Sequence, residues 1–548
     1  MMDKDGTASD RWQRDLTRLA GRRFDALIVG GGINGAGLAR DLALRGLQVA
    51  LVEKGDFASG TSSTSTKLIH GGLRYLETYS FHLVFESQRE RRTLQHIAPH
   101  LVRPLSFLIP VYQDDPRPLW MIRAGLTLYD LLALFRNTHH HSILSAQEAL
   151  RREPVLQDAG LVGVARYWDC RMDDARLCLE NVLAAVEAGA EAVNYAEVVE
   201  LLKREGRTCG ALVRDRESGA ELEVEAEVVV NTAGPWLDKV CALDGDTDRK
   251  LRPTRGTHIV VPRISRGGEA LYLSSKSDAR LFFVVPWGDY SLVGTTDVDY
   301  AGDPDTVTPT EDDIDYLLAE AGRHLRDHPL RRQDVLAAFA GLRPLVAEES
   351  VKASRVSREH RIFVSSSGLI SVGGGKYTTY RSMAAEMADL VVRRLGRGQT
   401  DCRTDRLPLP GGQTGDFDRY VQDRLAALCG RSGLSPRVME RLLGLYGSRI
   451  DQVLALGRRE PGLLEPVSPG SELLGVQVAY AANFELARTV EDVLRRRSSL
   501  ALEEGCGLAE AEVVADLLGE RLQAATTQRQ EWLRHYRRVT HGQGKERA

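Results

Sequence analysis

The chain has 548 residues, of which 43% are hydrophobic and 27% charged, a balance within the globular range and long enough for two or three domains with separate cores. Its formal net charge of −4 removes any general electrostatic reason to expect nucleic acid as a partner. Seven scattered cysteines with no CxxC pair argue against a disulfide framework or zinc site and for a reducing, intracellular setting. The segment Met1 to Arg23 is polar and mixed in charge, without the apolar stretch of a secretory signal.

Phe24 to Val29 is a short apolar run of buried-strand type. Gly30-Gly31-Gly32-Ile33-Asn34-Gly35 follows, then Ala36 to Arg45 with apolar residues at helical spacing, then a second strand, Val49 to Val52. This strand, turn, helix, strand order is that of a parallel crossover. In the loop, Gly30 permits the tight turn, Gly32 lets backbone approach a pyrophosphate, and Gly35 lets helix pack on strand. The helix N-terminus favours an anion there without a basic side chain. Glu53, ending the second strand, is placed to accept hydrogen bonds from ribose hydroxyls. Together these residues predict dinucleotide binding.

Phe57 to Lys67 is a run of small hydroxyl residues, with Thr61, Ser62, Ser63 and Lys67 suited to a second set of phosphate and sugar contacts. His70-Gly71-Gly72-Leu73-Arg74-Tyr75 then brings an imidazole, a guanidinium and a phenol together. Leu119 to Phe135 is apolar but broken by Arg123 and Asp130. It is too interrupted for a spanning helix, which needs about 18 apolar residues, and reads as a core helix or a membrane-surface helix. The three adjacent histidines His139 to His141 cannot all face one ion from regular structure, so no metal is expected. Val228 to Val230 leads into Asn231-Thr232-Ala233-Gly234-Pro235. His258 to Val261, Ala270 to Leu273, Leu281 to Val285 and Tyr290 to Gly294 are short strands of an antiparallel sheet, the last two joined by a turn at Pro286 to Asp289.

Leu369 to Val372 enters Gly373-Gly374-Gly375, and a helix is predicted from Thr379 to Leu395. A glycine loop before a helix beginning near Thr378 aims a second helix N-terminus at the active site. Reduced flavin accumulates negative charge around N1 and the C2 carbonyl, which such an end stabilises, whereas NAD has no equivalent need. Gly374, Gly375, Lys376 and Thr378, with Gly234 in the loop after Val230, join the candidate cofactor contacts, and FAD is the expected cofactor. Gly396 to Asp416 reads as a linker, the remainder as helical, and Val539 to Ala548 as a disordered polar tail.

The stretch STSTKLIHGGLRYLE resembles the signature of FAD-dependent glycerol-3-phosphate dehydrogenases, members of the glycine-oxidase-like flavoprotein superfamily. The likeness continues at AGPW, GTHIVVPR, FVVPWGD, VGTTDVDY, GLRPL and GGGKYTTYR, across about residues 24 to 390 in the family's order. It implies an α/β fold: a Rossmann-like FAD-binding domain over 24–398, following an extension of 1–23. An antiparallel-sheet substrate-capping domain, roughly 80–165 and 250–345, is interleaved with it, and a helical domain covers 399–538 before a tail of 539–548. It implies oxidation of sn-glycerol 3-phosphate, with membrane quinone as acceptor and a peripheral place on the cytoplasmic face of the membrane. The sequence leaves oxygen open as acceptor, an amino or hydroxy acid open as substrate, and both monomer and homodimer open as assembly.

Oxidising a secondary alcohol needs a hydride acceptor, a base for the hydroxyl proton and a grip on the phosphate. The resemblance carries Arg74, Arg343, Arg358 and Lys376 to the substrate. Arg343 and Arg358 are the chosen phosphate forks, with Lys376 and Tyr75 assisting. His258, in an apolar strand-like run where a histidine is an odd choice, is the first candidate base and His70 the second. An arginine such as Arg343, stabilising the alkoxide while water takes the proton, is the alternative.

Overall fold

From Phe24 to Val29 every side chain is buried, the pattern of a strand covered on both faces. In the computed structural model, which describes residues 12, 14–77, 79–133, 139–326, 329–347, 359–398 and 400–541, this strand, β1 (Arg23–Val29), is central to the parallel part of an eight-stranded mixed sheet. β2 (Val49–Val52) pairs with one edge, Leu27 facing Ala50, and Glu221–Asn231 with the other, Leu27 facing Val229. Glu191–Val193 continues the sheet beyond β2, and Ile370–Gly374 continues it beyond Glu221–Asn231.

Between β1 and β2 the chain forms α1 (Ile33–Leu44). Ten of its 12 residues are buried, so it lacks the polar stripe of a surface helix. It shares one core with the helices Asp174–Glu187 and Tyr380–Arg394. Glycines make room for that burial. A Cβ at Gly35 would stand 1.9 Å from the Gly30 carbonyl oxygen, and one at Gly37 would stand 2.8 Å from the Tyr380 ring.

A second, ten-stranded and mainly antiparallel sheet draws its strands from Leu68–Ile69 and from two stretches, 103–171 and 251–346. Its long strands Leu251–Pro262 and Ala337–Val346 run antiparallel with His258 opposite Phe339 and Thr254 opposite Arg343. The hairpin expected at Pro286 to Asp289 is tighter than the sequence suggests. Pro286 and Trp287 stay in the ladder opposite Ser291 and Tyr290, and Gly288 supplies the left-handed conformation, φ +55°, that the short turn needs.

The helix Leu119–Leu132 buries Leu126 and Tyr129 against this sheet but leaves Trp120, Met121 and Leu131 exposed. It is thus a packed helix with an apolar outer face rather than a core helix. The expected linker is irregular yet anchored, with Thr404 and Leu409 buried. The six longer helices that follow, from Phe417–Ser432 to Thr526–His541, enclose two cores of their own. The last of them continues past Val539, where a polar tail was expected, because Thr540 is buried one turn beyond the fully buried Tyr536. This is the α/β arrangement expected: a Rossmann-like sheet, an antiparallel capping sheet and a helical C-terminal domain.

Two glycine replacements should move stability in opposite directions. Gly35→Ala forces backbone apart and is expected to cost about 1–3 kcal/mol or more. Gly125→Ala, inside the helix Leu119–Leu132 and with open space around its Cβ, should stabilise by about 0.5–1 kcal/mol. Urea unfolding midpoints of the two variants check both signs.

Candidate active site

The glycine loop adopts the geometry its sequence implies. Gly30 has φ +108°, and a Cβ there would meet the Thr232 carbonyl oxygen at 2.9 Å, so the turn that follows Glu221–Asn231 packs directly on it. Gly32 caps α1 without a side chain, and the first helical N–H, that of Ile33, donates to Ser62 Oγ at 2.9 Å. The Glu53 carboxylate accepts from Gly31 N–H at 2.7 Å and Gly55 N–H at 2.8 Å. Burial pushes its pKa up, against those two hydrogen bonds. Gly234, at φ +54°, opens the short turn Gly234–Trp236 beside this loop.

The hydroxyl run is a seam between the two sheets. Thr61 Oγ1 donates to the Leu342 carbonyl at 2.6 Å, and a Cβ on Gly341 would stand 2.3 Å from Thr64 Oγ1. Thr66 Oγ1 lies 2.9 Å from His258 Nε2. Ser62 and Ser63 are buried in the 3-10 turn Thr61–Ser63. Lys67, expected among the cofactor contacts, gives its ammonium instead to Asp174 Oδ1 at 2.5 Å in a pair that is almost wholly buried. Asp174 was missed by sequence reasoning because it lies more than a hundred residues away.

His258 is 2% exposed and stacks on Phe339, ring centroids 5.0 Å apart. Its Nδ1 is buried and meets no hydrogen-bond partner among the described residues. Burial first, then the neighbouring Arg343 and Lys67 charges, hold its pKa well below the ordinary imidazole range. Arg343 is held by its own neighbours: Nη1 on Asp297 Oδ1 at 3.1 Å, Nη2 on Thr295 Oγ1 at 2.9 Å and on the Thr296 carbonyl at 3.2 Å. Asp297 lies within the VGTTDVDY motif, to which the sequence assigned no role in holding an arginine.

The motifs HGGLRY and GGGKYTT meet. Lys376 Nζ sits 4.3 Å above the Tyr75 ring and donates to Ser87 Oγ at 3.1 Å. Thr378 Oγ1 is 3.3 Å from both the backbone nitrogen and the carbonyl oxygen of His70. Gly374 and Gly375, at φ +76° and +89°, turn the chain into the 3-10 turn Tyr377–Thr379 and the helix Tyr380–Arg394, close to the expected start. Arg74 and Tyr75 lie on the same 3-10 turn, Leu73–Leu76, near Tyr272. The helix Phe81–Ile97, expected within the capping domain but without a site residue, contributes Ser87, Gln88, Glu90 and Arg91, all buried. Arg358 lies outside the described residues. Away from this site, His141 Nδ1 pairs with Asp130 at 2.7 Å and His139 lies against the Trp168 ring.

The glycine cradle, the Glu53 carboxylate and the helix ends fit an ADP-containing cofactor, and the second glycine turn fits a flavin. Comparison with known proteins agrees. Residues 25–381 match the family described as FAD dependent oxidoreductase, and residues 402–529 match the C-terminal domain of alpha-glycerophosphate oxidase. The glycerol-3-phosphate dehydrogenase of Synechocystis is 41% identical over 507 residues, 89% of this chain and 91% of that protein. Glycerol-3-phosphate dehydrogenase 2 of Mycobacterium tuberculosis is 41% identical over 511 residues, 92% of this chain and 86% of that one. The crystal structure of the Bacillus halodurans glycerol-3-phosphate dehydrogenase complexed with FAD superposes with a TM-score of 0.81 at 30% identity, covering 97% of each chain.

The depressed pKa of His258 makes stability depend on pH. An unfolded imidazole takes a proton at about pH 6.5, whereas the folded one stays neutral to lower pH. The unfolded state therefore binds the extra proton, and stability falls as pH drops below about 6.5, by up to about 1.4 kcal/mol per pH unit for one proton. His258→Gln is expected to flatten that slope in urea unfolding between about pH 6.5 and 5. Equal slopes for both proteins would rule the effect out.

Proposed function

This chain belongs to the family of FAD-dependent glycerol-3-phosphate dehydrogenases, and from that premise we propose that it oxidises sn-glycerol 3-phosphate to dihydroxyacetone phosphate and passes the electrons to a membrane quinone. The observation that carries the reading is a buried imidazole, His258, whose Nδ1 meets no hydrogen-bond partner among the described residues and on which the nearby Arg343 and Lys67 charges act. A carboxylate substrate would need fewer cations than the set formed by Arg74, Arg343, Arg358 and Lys376.

The cofactor would be held by Gly30, Gly32, Gly35 and Glu53 at its ADP half, with Thr61, Ser62, Ser63 and the backbone at Lys67 along the seam. Gly234, Gly374, Gly375, Lys376 and Thr378 serve the isoalloxazine end. When bound, FAD supplies the acceptor for the hydride that leaves the carbinol carbon. The chain's own groups do the rest. Arg343, fixed by Asp297 and Thr295, and Arg358 are the proposed grips on the phosphate, and Arg74, Lys376 and Tyr75 are proposed to assist. His258 is the first candidate to take the hydroxyl proton, with Thr66 at Nε2 fixing the ring; because burial and the Arg343 and Lys67 charges disfavour its cation, Arg343 stabilising the alkoxide while water takes the proton is the alternative. His70 is the second candidate for that proton.

Delivery to quinone calls for contact with a membrane surface. No described helix is long and apolar enough to cross a membrane. The outer face of Leu119–Leu132 instead presents Trp120, Ala124, Thr127 and Leu131 at one-turn spacing. The neighbouring segment adds exposed Tyr79, Phe81 and Phe85, and Arg117 ties the two together through Glu77 at 2.7 Å. An apolar patch of this kind, with Arg123 alongside, suits a bilayer interface. The likeness of residues 402–529 to an oxidase domain favours oxygen as the rival acceptor.

Two experiments test this reading. In single-turnover flavin reduction, His258→Asn should slow reduction by about 10²-fold or more and His70→Asn far less; parental rates for both would remove histidine as the base. In steady state, the protein should turn over with quinone in phospholipid vesicles without forming peroxide. Trp120→Glu with Leu131→Glu should lose vesicle-quinone turnover while keeping turnover with a soluble dye. Stoichiometric peroxide in air would establish the oxidase instead.

A further inference from the structure

One buried ion cluster outside the substrate site joins the helical domain to the cofactor loop. Asp56, three residues past Glu53, is 1% exposed and accepts from Arg496 Nε at 2.6 Å, from Arg497 Nη1 and Nη2 at 2.8 and 2.9 Å, and from Asn194 Nδ2 at 3.2 Å. Both arginines sit on the π-helical turn Asp492–Arg497 of the C-terminal domain. Arg496 also binds Asp492 at 2.7 Å, and Arg497 also donates to the Glu485 carbonyl at 2.8 Å. Asn194 Nδ2 bonds the Leu486 carbonyl at 2.9 Å. Beyond this, Arg176 pairs with the Glu485 carboxylate.

Asp56 opens the turn that props the glycine loop. Ala58 N–H donates to the Gly31 carbonyl at 3.1 Å, and Phe57 packs so closely that a Cβ on Gly31 would stand 2.7 Å from its ring. Gly31 N–H is in turn one of the two donors that aim Glu53. A chain of short contacts therefore runs from Arg497 through Asp56 and Ala58 to Gly31 and Glu53.

We propose that Arg496 and Arg497 are positioning residues for the dinucleotide site: the helical domain sets how tightly the chain holds FAD by clamping Asp56 and, through it, the turn that aims Glu53. A bidentate guanidinium fixes a carboxylate in orientation as well as position. An ammonium keeps the charge and loses that control. This inference rests on the dinucleotide reading of the first glycine loop and stands whichever alcohol is the substrate. By linkage, whatever strengthens FAD binding from the helical domain must be strengthened by FAD in return.

The test is FAD affinity by flavin fluorescence, alongside the thermal midpoint of the FAD-stripped protein, for Arg497→Lys and Arg496→Lys. Arg521→Lys, an ion pair with Glu460 on the far helices of the same domain, is the control. Arg497→Lys should loosen FAD about tenfold with a midpoint close to the parent's, and the control should leave both unchanged. An affinity within about twofold of the parent, with the midpoint lowered, would make the cluster a domain staple and overturn the proposal. Should the variants fail to fold, hydrogen exchange on the parent protein decides. Removing FAD should lower protection at residues 486–497 together with 53–60, and equal protection at 486–497 with and without FAD would also overturn it.

Discussion

The segment from Thr61 to Lys67 joins the two sheets of this protein, and the candidate site is built around that seam. Ser62 takes the first N–H of α1, Thr61 takes a carbonyl of the Arg343 strand, Thr66 reaches His258, and Lys67 is locked on Asp174. Small hydroxyl residues suit this position because each satisfies a backbone or side-chain group at short range without adding bulk between the layers. A glycine on each side, Gly32 and Gly341, leaves room for them. Loosening the seam would separate the loop that cradles a dinucleotide from the strand that carries the candidate base.

The same constraint explains why the electrostatics are arranged as they are. Placing His258 between Phe339, Arg343 and Lys67 disfavours its cation twice over, by burial and by like charge. The cations do not crowd the site freely, since Lys67 is neutralised by Asp174 and Arg343 is held by Asp297. Burying such pairs gains little in net stability, but removing one partner is expensive, about 3–5 kcal/mol. Their effect is to fix positions.

Much of this was legible locally. The strand, glycine loop, helix and second strand from Phe24 to Val52 rest on neighbouring residues, where apolar periodicity and the need for glycine at close backbone approach leave few alternatives. The second glycine turn at Gly374 and Gly375 was legible for the same reason. What escaped notice depends on topology. Asp174 meets Lys67, Asp297 meets Arg343, and Asp56 meets Arg497 some 441 residues along the chain. No spacing rule connects such pairs. The hydroxyl run was recognisable as functional, yet several of its hydroxyls serve the seam, because loop composition says that polar groups need partners and not which partners they have. Leu119 to Leu132 was ambiguous in the sequence for a physical reason: a helix apolar on both faces has the same pattern whether its outer face meets protein or lipid.

All of this turns on a phosphorylated alcohol being the electron donor to the bound flavin. Anaerobic titration of the purified yellow protein with sn-glycerol 3-phosphate tests it most directly. Bleaching of the flavin absorbance, complete at one equivalent of dihydroxyacetone phosphate formed per flavin, is the predicted result. A flavin left oxidised by glycerol 3-phosphate but bleached by sarcosine or 2-hydroxyglutarate would contradict it.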